Sequence, residues 1–298
     1  MAGEPPCDPI LEALCTRGLR AAYPALRAAQ ARLDAGRTAA DRNAQGGDAG
    51  CQWDPGLVLR HAVNYWLATR VARAVLPGGG FPGPLVDVGA GAGAFSVWAG
   101  ALLNRPVVMV EPDVDHRRLA GRAFPEAAVV GALEEAPVAP VVLSMEVLEH
   151  VERPAQRRFL AALCERVLPR GVLLLSTPDE SGYPGGWSGY QPHVGQVTAG
   201  ELGALLGAVT DWPVAVFRIQ GPGFRLGALA RWTVPAANRV WSTTQRHLPG
   251  LAGRLTRLAS RVGRGLGNGE EVDESAFEVT PASRGRGTGL LAVVRAPG

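Results

Sequence analysis

The sequence predicts an α/β fold: a mostly parallel sheet with helices on both faces, an N-terminal helical extension, and a helical insertion before the last strand. Three observations carry this. From Pro84 onward, short β-rich runs alternate with segments of helix length, the connection that parallel strands require. The runs are almost continuously apolar, as strands covered on both faces are. The first of them passes directly into a glycine loop. A chain of 298 residues, 47% hydrophobic and 19% charged, has ample material for such a core and is neither disordered nor a coiled coil.

Taken in order, residues 1–80 read as a helical extension or cap. Apolar and small residues from Pro9 to Leu33 suggest one or two helices, broken near Pro24, and Arg42 to Gly50 reads as a loop. From Pro55 to Leu76 the residues Leu57, His61, Tyr65, Ala68, Ala72 and Val75 recur at helical spacing, and Pro77 with the following glycines stops the helix. The main domain spans 81–298. Its strands are expected at Leu85–Val88, Val107–Val110, Ala128–Val130, Val141–Ser144, Val172–Ser176, Val214–Ile219 and Leu290–Val294, with a helix at Ala94–Leu103. The last run lies far from its predecessor, so residues 222–285 are expected to form a basic helical insertion.

Composition removes several classes of chemistry. All 30 basic residues are arginine. Schiff bases, the phosphate lysine of P-loop enzymes and protein-kinase catalysis therefore fall away. The four cysteines form no CxxC pair, which suits free thiols in a reducing compartment. No apolar run approaches the ~20 residues of a membrane-spanning helix, and Met1 to Leu14 lacks the features of a signal peptide, so a cytoplasmic protein is expected. The Arg, Gly, Pro and Ala bias matches a GC-rich bacterial genome.

The glycine loop, Asp87-Val88-Gly89-Ala90-Gly91-Ala92-Gly93, allows a sharp turn and a close approach of ligand to main chain. The next strand ends in Glu111, about 20 residues on, where a carboxylate can accept both hydroxyls of a ribose. This combination specifies a nucleoside cofactor, and two remain open. Gly89, Gly91 and Ala94 fit a dinucleotide fingerprint with Glu111 on the NAD ribose. Asp87, however, would repel a pyrophosphate and can receive the ammonium of a methionine moiety.

With Asp87 two residues before the first glycine, the loop resembles the Asp-x-Gly-x-Gly-x-Gly pattern of class I S-adenosylmethionine-dependent methyltransferases. The resemblance runs from Pro84 to Gln220, nearest to the ubiquinone-type and type 11 and type 12 small-molecule methyltransferases. It includes Val129 to Glu134 after the third strand, Val141 to Val151 at the fourth, and Pro169 to Pro178 at the fifth. It implies S-adenosyl-L-methionine as cofactor, with Asp87, Gly89, Ala90 and Gly91 at the methionine end, Glu111 on the ribose, and Leu133 and Met145 on the adenine.

Glu146, Glu149 and His150 stand at i, i+3 and i+4, and His193 follows in a Gly/Pro/aromatic loop beyond the fifth strand. Two carboxylates and two imidazoles make a plausible set for a divalent cation such as magnesium, and the arrangement resembles the metal sites of ubiquinone-pathway and small-RNA 2′-O-methyltransferases. The alternative is that these side chains brace the helix start and nearby loops. His193 is also the leading candidate base, with Glu149 and His150 in support, and a loop-bracing hydrogen bond is its other reading. Tyr183, Trp187 and Tyr190 read as an apolar wall. Tyr65 and Trp66 either close over the cofactor or pack in the core, and Arg60 either meets the cofactor carboxylate or is a solvated charge. His61 reads as a packing histidine.

From Arg225 to Arg264 there are eight arginines and no acidic residue, leaving −5 for the rest of a chain whose total is +3. Leu251, Leu255, Leu258 and Val262 form an apolar stripe beside Arg254, Arg257 and Arg261, the pattern of an amphipathic basic helix. It is expected to cover the substrate mouth, or to meet anionic lipid, a phosphorylated or acidic substrate, or the acidic stretch Glu270 to Glu278 of its own chain; nucleic acid is not expected. The function expected is methyl transfer to an oxygen or nitrogen of a small molecule in bacterial specialised metabolism. The rivals are an NAD(P)-dependent oxidoreductase and a non-catalytic binding protein that kept the cofactor fold.

Overall fold

The computed structural model describes residues 9–38, 55–76, 82–221, 230–247, 273–284 and 287–298. A short α1 (Pro9–Ala13) and a longer α2 (Leu19–Ala35) precede α3 (Pro55–Val75). The break between α1 and α2 falls at 14–18, and Pro24 lies inside α2, contrary to the expected break near Pro24. Gly18 makes the turn at φ 90°, a left-handed conformation that favours glycine. The Glu274 carboxylate then accepts from the Gly18 N–H (3.0 Å) and the Arg20 N–H (2.6 Å), fixing where α2 starts. Pro24 costs the helix one backbone bond, while Leu19, Leu26 and Leu33 hold its buried face in place.

The sheet contains β1 (Leu85–Val88), β2 (Val107–Val110), β3 (Ala128–Val130), β4 (Ala139–Met145), β5 (Val167–Pro178), β6 (Val214–Gln220), β7 (Glu278–Pro281) and β8 (Gly289–Arg295). Their spatial order is β3-β2-β1-β4-β5-β8-β6-β7. The first five run parallel, and β8 inserts antiparallel between β5 and β6. Between them lie α4 (Ala94–Leu103), α5 (Val114–Ala123), α6 (Arg153–Glu165), α7 (Ala199–Gly207) and α8 (Ala230–His247).

Every anticipated strand is present, with ends shifted by a few residues. The edge strand β7, paired antiparallel with β6, departs from the purely helical insertion expected over 222–285, where α8 is a helix. The apolar stripe Leu251 to Val262 and the loop Arg42 to Gly50 lie outside the described residues. No helix among the described residues is long and apolar enough to cross a membrane.

Alternation along the strands divides the core in two. Leu85, Met109, Val141, Leu143, Leu174 and Val293 face the layer containing α2, α3, α4 and α5. Val86, Val108, Val142, Leu173 and Val294 face α6 and α7. Asp87, between Val86 and Val88, therefore points with the first group, toward α3 and α4. The strand order reverses between β1 and β4, and open α/β sheets bind ligands outside the carboxyl ends of their strands at that point. The glycine loop, the segment after β4 and the loop after β5 all leave from those ends.

Candidate functional site

Asp87 is completely buried. Its Oδ2 accepts from the Tyr65 hydroxyl of α3 (2.8 Å) and from Ser96 Oγ of α4 (2.6 Å). Its Oδ1 is buried without a hydrogen-bond partner. Burial pushes the carboxyl up to about 6, against the pull of the Ser96 and Tyr65 hydrogen bonds. The glycines divide into two kinds. A Cβ at Gly89 (φ 78°) would lie 2.3 Å from a Val147 methyl, and one at Gly93 (φ 87°) would lie 2.5 Å from Met109 Sδ. At Gly91 (φ 55°) a Cβ would enter open space. Gly89 and Ala90 donate their N–H groups to the Val110 carbonyl. The Gly91 N–H reaches Glu111 Oε2 at 2.7 Å, and the other Glu111 oxygen accepts from the Asp113 N–H at 2.9 Å. Leu133 opens a short turn and is half-buried; Met145, the last residue of β4, is buried in the core.

After β4, Glu146 adopts φ 58°, uncommon without glycine, and is held from several sides. Its N–H donates to the Ser176 carbonyl. Its carboxylate accepts from Asn64 Nδ2 (3.1 Å) and Ser176 Oγ (3.1 Å) and lies 2.5 Å from an Arg60 guanidinium nitrogen. Arg60 thus meets Glu146 in this structure. Glu149 is buried, accepts from Thr177 Oγ1 at 2.9 Å, and is pushed well above the usual carboxylate range by burial and then by the Glu146 charge. One donor atom each from Glu149, His150 and His193 lies within 4.8 Å of the others. Glu146, the fourth member of the anticipated cation set, is outside this group and is paired with Arg60 instead.

The loop after β5 brings in a residue that the sequence reading did not single out. Glu180, 3% exposed, begins a turn immediately beyond the strand, and its Oε1 lies 2.5 Å from His193 Nδ1. Its Oε2 accepts from the Ser188 N–H at 2.9 Å. Burial would raise this carboxyl, but the bonds to His193 and Ser188 outweigh it and hold it below the usual range. The His193 ring stands edge-on to Tyr190 (5.0 Å between centroids) and to His150 (5.1 Å), whose own Nδ1 sits 3.1 Å from the Pro192 carbonyl. α8 packs on this loop. Asn238 donates to the Ser188 carbonyl at 2.8 Å, the Pro235 backbone leaves no room for a Cβ at Gly189, and the Arg239 guanidinium lies 5.8 Å from the Trp187 ring centroid.

The profile of the family described as "Methyltransferase domain" matches residues 59–234, more than half of the chain. The chain belongs to this methyltransferase family. Among solved structures it is similar to the YcgJ protein from Bacillus subtilis (13% identity over 79% of this chain and 98% of that one, TM-score 0.50). It is also similar to a SAM-dependent, possible histamine N-methyltransferase from Thermotoga maritima (16%, 80% and 91%, TM-score 0.46). A third is the plantazolicin methyltransferase BamL (11%, 94% and 98%, TM-score 0.48). No curated protein sequence matches.

A class I S-adenosylmethionine-dependent methyltransferase must seat an aminoacyl sulfonium nucleoside, and the residues at the carboxyl ends of β1 and β2 fit one. The partnerless Asp87 Oδ1 suits an ammonium, and the open side of Gly91 admits a ligand against the main chain. The Glu111 carboxylate directly follows β2, beside that glycine. Other anticipated residues have structural partners. Tyr65 is buried, serving Asp87 and lying against Phe95; Trp66 donates to the Cys15 carbonyl; His61 is held low by burial and packs on Phe95. Glu180 left one usable sequence signal: Asp179-Glu180 is an acidic pair directly beyond the carboxyl end of a parallel strand, where such folds place their substrates.

Proposed function

We propose that this methyltransferase acts on an oxygen or nitrogen of a small-molecule acceptor, in bacterial specialised metabolism, with His193 as the base. The observation that carries the reading is the His193 imidazole, beyond the carboxyl end of β5 with its Nδ1 engaged by Glu180, which leaves Nε2 as the ring atom able to take a proton. The bound cofactor supplies a methyl group on a positively charged sulfur. Asp87 Oδ1 would hold its ammonium, Glu111 its ribose, and Leu133 and Met145 its adenine. His193 Nε2 would take the proton released by the acceptor, with Glu149 and His150 supporting the ring. Tyr183, Trp187 and Tyr190 would limit water at the mouth. Holding the reactants in line is expected to provide much of the acceleration.

The test is transfer of isotopically labelled methyl from S-adenosylmethionine into the small-molecule fraction of a cognate extract. Label is expected there, and His193→Ala should lose roughly 100-fold in rate or more while retaining affinity for S-adenosylhomocysteine. Cofactor binding with no transfer into any fraction would favour the non-catalytic alternative, and tight NAD(P) binding without S-adenosylhomocysteine binding would favour the oxidoreductase.

The proximity of Glu149, His150 and His193 favours a second reading, a divalent cation such as magnesium seated among them. Activity lost to a chelator and restored by magnesium would support it. The Arg-rich stretch 225–264, whose described part α8 flanks the mouth loop, supports an acceptor that is anionic or presented at an anionic surface. A KM for the acceptor that rises with ionic strength would be its signature.

A further inference from the structure

We propose that Glu180 is a positioning residue for methyl transfer, holding the His193 imidazole as the single tautomer that carries its proton on Nδ1 and keeps Nε2 free to accept one. The inference rests on the reading of His193 as the base.

An ionised carboxylate only accepts hydrogen bonds. With Glu180 Oε1 at 2.5 Å, Nδ1 must donate, and a neutral imidazole that donates from Nδ1 has its lone pair on Nε2. The carboxylate cannot easily turn away, because its second oxygen is fixed by the Ser188 N–H. The turn that carries it is anchored to the sheet through its neighbour Asp179. Asp179 Oδ1 accepts from the Ser181 N–H at 3.0 Å, and its Oδ2 lies 2.7 Å from an Arg218 guanidinium nitrogen on β6. The Asp179 N–H donates to the Thr288 carbonyl at 2.7 Å.

The ring is bounded elsewhere by Tyr190 and His150, with Glu149 near by, and its side chain is only 17% exposed. When Nε2 takes the acceptor's proton, Nδ1 keeps its own. The resulting imidazolium then lies against a carboxylate that stays ionised, at a site partly withdrawn from water where the attraction is stronger than in bulk. This is the arrangement in which a base is oriented by a third group, here with the acid on the turn directly beyond β5 and the base 13 residues later.

The test combines kinetics with a tautomer measurement that needs no turnover. In the wild-type protein, histidine side-chain 15N spectra, with the His193 signals assigned by their loss in His193→Ala, are expected to show a protonated Nδ1 and an unprotonated Nε2. Glu180→Gln keeps an acceptor for Ser188 but can also donate, so it should give a mixture of tautomers. It should also lower kcat by roughly 10- to 100-fold without moving S-adenosylhomocysteine affinity, which reports an intact fold. The double variant Glu180→Gln/His193→Ala should be no slower than His193→Ala alone. A wild-type His193 protonated on Nε2 would overturn the proposal even if the variant failed to fold, and so would an unchanged kcat in Glu180→Gln. Full turnover by His193→Ala would instead overturn the base reading, and the catalytic role of Glu180 with it, while the 15N result stood.

Discussion

Asp87 should make cofactor binding depend on protons in a window that the structure defines. The carboxyl, buried and pushed up to about 6 from its ordinary 3.8, is partly protonated in mildly acidic solution, whereas an ammonium at Oδ1 requires the ionised form. With a value near 6, about nine-tenths of the protein is ionised at pH 7 and about one-tenth at pH 5. Affinity for S-adenosylhomocysteine should therefore fall about tenfold between those pH values, with proton release on binding at the acid end. Because the folded value is raised, the sign for stability is the reverse of an ordinary salt-bridged carboxylate. The free protein should lose stability as pH rises from 3.8 through about 6, by about 3 kcal/mol, a penalty that the ligand ammonium would offset. Titration calorimetry from pH 5 to 7 measures this, with circular dichroism to verify folding throughout. Asp87→Asn should bind weakly at pH 7 and lose the slope. Tyr65→Phe removes a hydrogen bond that holds the value down and should move the onset of weakening to higher pH. A flat wild-type profile, or the same slope in Asp87→Asn, would refute the reasoning.

Other perturbations separate structural from ligand-facing roles. Gly89→Ala places a methyl against Val147 at a left-handed residue and should destabilise by roughly 2 kcal/mol or more. Gly91→Ala meets open space, so its stability cost should be confined to roughly 1 kcal/mol of backbone strain, with a larger fractional loss in S-adenosylhomocysteine affinity. Urea denaturation and calorimetry on the same samples distinguish the two. Glu111→Ala should weaken cofactor binding by roughly 1 to 3 kcal/mol; an unchanged dissociation constant would remove its assigned role. Glu274→Ala deprives the first turn of α2 of its acceptor and should lower stability by roughly 1 to 2 kcal/mol at unchanged cofactor affinity, read from thermal melts with and without ligand.

What the sequence made legible is what short-range pattern encodes. The parallel strands read as apolar runs, most plainly the buried β1, β2 and β4, with β3 half-covered at the edge, and the glycine loop followed by Glu111 is contained within a single βαβ unit. The misreadings all involve partners far apart in the chain. Pro24 looked like a helix breaker because its local cost is visible, while the Glu274 carboxylate that fixes the start of α2 comes from 256 residues away. The segment that forms β7 is short and bounded by Glu278 and Pro281, and it is a strand because β6 offers it an edge. Glu146, Glu149, His150 and His193 share ligand chemistry by type. Glu146 falls outside the group that the other three form and pairs with Arg60, brought in from α3, and no spacing rule could foresee that.

Asp87 and Glu180 are both buried carboxylates at the carboxyl ends of parallel strands, yet their surroundings assign them different work. Asp87 has one oxygen satisfied by two hydroxyls and the other buried without a partner, so burial dominates and its charge is costly until a cation arrives. Glu180 has one oxygen on an imidazole and the other on a backbone N–H, so its charge is already compensated and its value lies below the usual range. Groups driven in opposite directions by their environments are a physical mark of divided roles in a site. On the proposed reading, the first would receive a positive charge from outside the chain and the second would hold one that forms within it. Replacing each by its amide should therefore give opposite signatures: lost cofactor affinity for Asp87→Asn, and retained affinity with slowed transfer for Glu180→Gln.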